Sequence, residues 1–158
     1  MSNQKFCNFY VSEYHLLTVL MPYIDEKIKA QKEFVIFSQK DISSDVKKYL
    51  KQVKVFEGEA EKILNLGWKK CKKEISEESL RKDIAIVIGG EEFINKVNDS
   101  IDKNSNFYEI INCYNLENVK NLREICEKYS GILNTTGKFE IIKNSQNAQE
   151  RKTIKSQL

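Results

Sequence analysis

The chain has 158 residues, 41% hydrophobic and 31% charged, and its 26 basic and 23 acidic side chains leave a net charge of +3. That is enough for one domain with a real core, and the well-mixed charges describe a solvated surface rather than a field aimed at phosphate, so nucleic acid is not the expected partner. Cys7, Cys71, Cys113 and Cys126 are too widely spaced for a C-x-x-C zinc site or a disulfide framework, which predicts free thiols in a reduced, cytoplasmic compartment. The first residues lead straight into a strand without an apolar signal segment, and no apolar run approaches the ~18 residues that span a bilayer, so a soluble protein is expected.

Phe6 to Val11 reads as the first strand, and Ser12 offers a side-chain oxygen to the free amides of the helix that follows. Glu13 suits the positive end of that helix's dipole, and Leu16, Leu17, Leu20, Ile24 and Ile28 recur at helical spacing up to Ala30. Pro22 falls within this pattern, where its missing amide and ring clash predict a kink or a division. Glu33 to Ser38 is a second, nearly continuous apolar run, which makes the opening a right-handed strand–helix–strand unit. Asp41 or Ser43 caps the next helix, whose inward face is Val46, Tyr49, Leu50 and Val53. Between Val55 and Ser79 the pattern predicts only a short helix ending at Gly67, followed by Trp68 and a basic patch, Lys69, Lys70, Lys72 and Lys73, around Cys71. The expected form is a solvated loop with the tryptophan buried beneath it.

The chain is organised around Ile84-Ala85-Ile86-Val87-Ile88, entered through Asp83 and left through Gly89-Gly90-Glu91. Such a run is a strand buried on both faces, as in a parallel sheet covered by helices. A helix with Phe93, Ile94, Val97 and Ile101 follows, then a strand over 107–114. Asn115 is expected to cap one helix carrying Leu116, Val119, Leu122, Cys126 and Tyr129, stopped by Gly131. A short extended piece at 132–134, a turn at Thr135-Thr136-Gly137 and an edge strand over 138–142 complete the pattern. The expected fold is α/β, a three-layer α/β/α domain over 1–143 with a mainly parallel sheet of about five strands. Residues 144–158 are polar and predict a disordered tail.

Ligands in such sheets gather beyond the carboxyl ends of the strands. The candidate ligand-binding residues are therefore Tyr10, Ser12, Glu13, His15, Ser38, Gly89, Gly90, Glu91 and Tyr114. The first strand-to-helix turn has no glycine, and neither the P-loop nor the dinucleotide fingerprint occurs, so nucleotide hydrolysis and hydride transfer are not expected. His15 is the single histidine, and Glu91 with Glu92 lacks further ligands, so no catalytic residue, metal or cofactor is assigned. Two alternatives stay open: a small enzyme using His15 or Glu91 and Glu92, and an RNA-binding module at the Trp68–Lys73 patch.

The runs 9–17, Pro22-Tyr23-Ile24 and 32–36, with the later strand ending in Tyr114-Asn115-Leu116 and the segment 127–133, resemble the MEDS family, the sensory domain named for methanogens and methylotrophs. The chain departs from that pattern where Lys32 stands in place of a glycine and where a His-Pro step is missing before the last strand. The resemblance implies a RecA/KaiC-like domain that has lost its P-loop. It also implies a non-catalytic sensory or regulatory role, met by a small ligand or by a protein partner in signalling or transcription control.

Overall fold

The computed structural model describes residues 4–53, 59–72, 75–104 and 107–140. The expected tail and the residues 141–142 of the last strand lie outside them, as does Lys73 of the basic patch. The elements are β1 (Gln4–Tyr10), α1 (Glu13–Lys29), β2 (Phe34–Ser38), α2 (Ser43–Gln52), α3 (Ala60–Leu64), β3 (Ile84–Gly89), α4 (Glu91–Asn104), β4 (Glu109–Asn115), α5 (Leu122–Cys126), β5 (Gly131–Asn134) and β6 (Gly137–Glu140).

Six strands form one sheet in the order β2-β3-β4-β1-β5-β6, one more than the sequence suggests. The first five are parallel and β6 returns antiparallel to β5, through a turn in which Asn134 Oδ1 accepts from the Thr136 amide and Gly137 adopts φ +115°. The extra strand is β5: expected only as a short extended piece at 132–134, it joins the sheet because Phe6 and Cys7 of β1 hold Gly131 and Ile132 in parallel register.

Two apolar clusters, one per face, make the three layers. Phe6 and Tyr10 of β1, Phe34 and Ile36 of β2 and Ile84, Ile86 and Ile88 of β3 point to α1, α2 and α3. Their alternate neighbours Cys7, Phe9, Phe37, Ala85 and Val87 point to α4 and α5. Every residue of β3 is buried, as a central strand covered on both sides must be. After α3 the chain passes the outer edge of β2, where the Cys71 amide donates to Ser38 O, and Cys71, Ile75 and Leu80 join the second face.

Several helix ends differ from expectation for local reasons. Helix α1 runs unbroken through Pro22, which lies on its exposed side, so the helix is not divided there. It ends in a Schellman arrangement, with Lys32 N–H bonding Lys27 O and Gln31 N–H bonding Ile28 O, and Gln31 takes φ +63° in a place glycine usually fills. At α2 the residue before the helix is Ile42, and Asp41 contributes by accepting from the Ser43 amide. The single helix expected after Asn115 is two pieces, a 3-10 turn over Leu116–Asn118 and then α5. Val119 is extended, and Asn121 caps anew by accepting from the Glu124 amide, so the apolar stripe spans a break. Gly131 opens β5 rather than closing a helix.

At the opposite, amino end of the sheet, Glu109 is nearly fully buried and fully engaged. Tyr23 Oη donates to it at 2.5 Å, Lys138 Nζ lies at 2.7 Å and Lys27 Nζ at 3.9 Å. Burial pushes its pKa up, but the hydrogen bonds from Lys138 and Tyr23 and the charge of Lys27 outweigh it and hold the carboxyl below its ordinary range. This cluster ties edge strand β6 to the sheet centre and to α1.

Candidate functional site

Parallel register aligns the carboxyl ends of the central strands. Ser38 pairs with Ile88, Gly89 with Tyr114, and Tyr10 with Asn115. Strand β1 hands on to α1 on one face, whereas its neighbour β4 leads to α5 on the other. The crevice between them is a topological switch point, the place where open α/β sheets bind ligands. A cavity of about 350 Å³ opens there, lined by Tyr10, Glu13, Leu16, Ser38, Gln39, Lys40, Ile42, Ile88, Gly89, Gly90, Asn115 and Asn118.

Three chain turns build its walls. After β1, Ser12 accepts from the His15 amide while His15 Nδ1 accepts from the Val11 amide, so both side chains are spent on forming the turn into α1. After β2, the Ser38 hydroxyl donates to Lys40 O at 2.6 Å, and the Gln39 amide donates to Ile88 O. The Lys40 ammonium, reaching across from this turn, pairs with Glu13 at the start of α1. That hydrogen bond, with one from the backbone, holds the Glu13 carboxyl below the usual range. After β4, Asn115 Oδ1 accepts from the Glu117 amide and shapes the turn that brings Asn118 to the rim.

The glycine pair has two separate duties. A Cβ on Gly89 would lie 2.7 Å from Gln39 Oε1 and 2.8 Å from Phe93 Cδ2. Only hydrogen fits, because Gln39 folds against the strand end and its Oε1 accepts from the Gly90 amide at 2.8 Å. Gly90 itself has ordinary room, with nothing nearer than 3.6 Å.

Of the residues singled out in the sequence, Tyr10, Glu13, Ser38, Gly89 and Gly90 come together around this cavity. Ser12 and His15 support its wall without lining it. Glu91 borders an adjoining open hollow with Glu92, Gln39 and Lys120. Tyr114 points to the other face, where it stacks on Phe9 with centroids 5.4 Å apart and its hydroxyl meets Tyr129 Oη at 2.5 Å. Burial pushes its pKa up to about 12. There it belongs to a buried polar chain: Tyr129 Oη accepts from Asn112 Nδ2, and Asn112 exchanges two amide hydrogen bonds with Asn98.

Gln39, Lys40, Asn115 and Asn118 are lining residues that the sequence reading passed over. Their signal is position: each lies within four residues of the carboxyl end of a parallel strand, where polar groups as well as glycines meet a ligand.

The chain matches no protein-family model, no curated protein and no solved structure. Its assignment therefore rests on the geometry above. Among the described residues no group of three His, Cys, Asp or Glu is placed to hold a metal ion, and no helix is long and apolar enough to cross a membrane. All four cysteines are free thiols. Trp68 is buried and its Nε1 donates to Ile63 O at 2.7 Å, so Lys69, Lys70 and Lys72 have no exposed tryptophan beside them for a base to stack on.

Proposed function

We propose that this is a non-catalytic sensory or regulatory domain that binds a small ligand at the carboxyl edge of its sheet and passes the bound state to a protein partner. The observation that carries the reading is the cavity at the β1/β4 switch point, apolar below at Leu16, Ile42 and Ile88 and polar around its rim. Apolar walls beside converging polar groups are the ingredients of a small-molecule site, and here the two are present in about equal measure.

Two features favour binding over turnover. The Ser38 hydroxyl already donates to Lys40 O, and His15 Nδ1 already accepts from the backbone of Val11, so the two are not paired as nucleophile and base. The turn from β1 into α1, Val11-Ser12, is closed by side-chain capping and has no glycine-rich loop of free amides to cradle phosphates. Both agree with the resemblance to MEDS domains as RecA/KaiC-like units that have lost the P-loop, and with a cytoplasmic place in signalling or transcription control.

A thermal-shift measurement tests the reading. The small-molecule fraction of a native cell lysate should raise the melting temperature of the full chain. It should not do so for Asn118→Trp, which fills the cavity mouth from an exposed turn and should melt at the same temperature as the parent without ligand. An equal rise in both proteins would remove the cavity from the function, and the appearance of a new product in the incubated fraction would replace sensing with catalysis.

A further inference from the structure

We infer that the switch-point cavity takes a small carboxylate with an apolar stem, an inference that rests on reading this cavity as a ligand site and adds the chemistry of its occupant. The free end of each side-chain amide sets the chemistry of the wall. Gln39 Oε1 accepts from the Gly90 amide at 2.8 Å, and Asn115 Oδ1 accepts from the Glu117 amide at 3.1 Å. A backbone N–H can only meet the oxygen of a side-chain amide, so the two orientations are fixed by their partners, and each residue is left with its NH₂ group to offer. Neither NH₂ has a hydrogen-bond partner among the described residues, nor do the Asn118 side chain or the Tyr10 hydroxyl. Burial pushes the Tyr10 pKa up, helped by Cys113 and the nearby Glu13, so this hydroxyl keeps its proton.

The two oriented amides tilt the lining toward donors. Their NH₂ groups and the ammonium of Lys40 belong to residues that line the same cavity. The single carboxylate of the lining, Glu13, is already neutralised by Lys40, which has three donors and can serve a second anion beside it. An acceptor-rich anion satisfies the two oriented NH₂ groups, whereas a cationic ligand would leave both of them without an acceptor. Phosphate fits less well than carboxylate. The Gly90 amide that a phosphate oxygen would seek at the start of α4 is held by Gln39, and the β1–α1 turn has no glycine to let backbone approach. Leu16, Ile42 and Ile88 provide the surface for a short hydrocarbon stem, and about 350 Å³ limits the ligand to a small molecule.

The test uses the ¹⁵N-labelled full chain and four probes, sodium butyrate, butyramide, n-butylammonium chloride and inorganic phosphate; the three organic probes share a four-carbon skeleton and differ in charge. The side-chain NH₂ resonances of Gln39, Asn115 and Asn118 report the site directly. Butyrate should shift them saturably and bind about tenfold more tightly than butyramide, the size of one charge-assisted hydrogen bond. Lys40→Gln should abolish that tenfold preference for butyrate over butyramide. Tighter saturation by butylammonium or phosphate at the same resonances overturns the carboxylate and leaves the cavity as a ligand site. If no probe moves them while the lysate fraction still raises the melting temperature, the ligand is of another class. If neither effect occurs, both readings fall.

Discussion

Placing one methyl group on each glycine of the pair in turn separates the two duties assigned to them. In Gly89→Ala the new Cβ lies 2.7–2.9 Å from Gln39 Oε1, Phe93 Cδ2 and Gln39 Cβ, against an ordinary contact of 3.4 Å or more. The Gln39 oxygen could swing away, but the Gln39 Cβ and the Phe93 ring are held by their elements and must retreat by several tenths of an ångström. Overpacking of this kind costs about 1–3 kcal/mol. Displacing Gln39 also loses its bond to the Gly90 amide, about 1 kcal/mol, while the stiffer unfolded chain returns about 0.4–1 kcal/mol. The net expectation is destabilisation by about 2 kcal/mol, from the midpoints of those three ranges. In Gly90→Ala the nearest atom is 3.6 Å away and φ is not positive, so only the unfolded-state effect remains and the variant should match or exceed the parent by about 0.4–1 kcal/mol. Urea denaturation monitored by circular dichroism measures both. With a slope of about 2 kcal/mol per molar, Gly89→Ala should unfold at a midpoint about 1 M lower and Gly90→Ala at an unchanged or slightly higher one. Equal midpoints for the two variants would refute the close approach of Gln39 to the end of β3, and with it the amide orientation on which the ligand class rests.

Stability should also fall with acid through Glu109. Its folded pKa lies below the ordinary value of 4.5, so the stabilisation it provides is fully present above that value and is lost as pH falls through the lower, folded pKa. Comparison of urea midpoints for the parent and Glu109→Gln should show a gap at pH 7 that closes as pH falls from 4.5 through the lowered, folded pKa; a gap independent of pH would mean that the carboxylate's charge contributes nothing. At the end of α1, Gln31→Gly should stabilise by about 1 kcal/mol by relieving the left-handed backbone at φ +63°, in spite of glycine's greater freedom in the unfolded chain. A lower melting temperature in that variant would count against the left-handed cap.

How much of this was legible in advance depended on the range of the interaction involved. The continuous apolar run Ile84–Ile88 announced a strand buried on two faces, because only a covered parallel sheet hides every residue of a strand. Ser12, placed directly before a helical pattern, announced the start of α1 by a hydrogen bond spanning three residues. The missing glycine after β1 was equally readable, since a phosphate cradle is a property of consecutive backbone amides.

Partners distant in sequence were not legible. Ile132-Leu133-Asn134 reads only as a short extended piece, and it becomes a strand of the sheet because Phe6 and Cys7 supply the neighbouring backbone. The stripe from Leu116 to Tyr129 has helical spacing, yet Asn121 caps its own short helix and breaks it. Tyr10 and Tyr114 end adjacent strands and look equivalent in sequence, but register places Tyr114 opposite Phe9 and Tyr10 opposite Asn115, so successive pleats send them to opposite faces. One enters the cavity and the other a buried polar chain. The sequence by itself determined the class of fold and the edge of the sheet worth searching, because hydrophobic periodicity and capping are local. Which polar groups meet there, and which ends of their amides remain free, was decided only when strand order brought the turns after β1, β2 and β4 together.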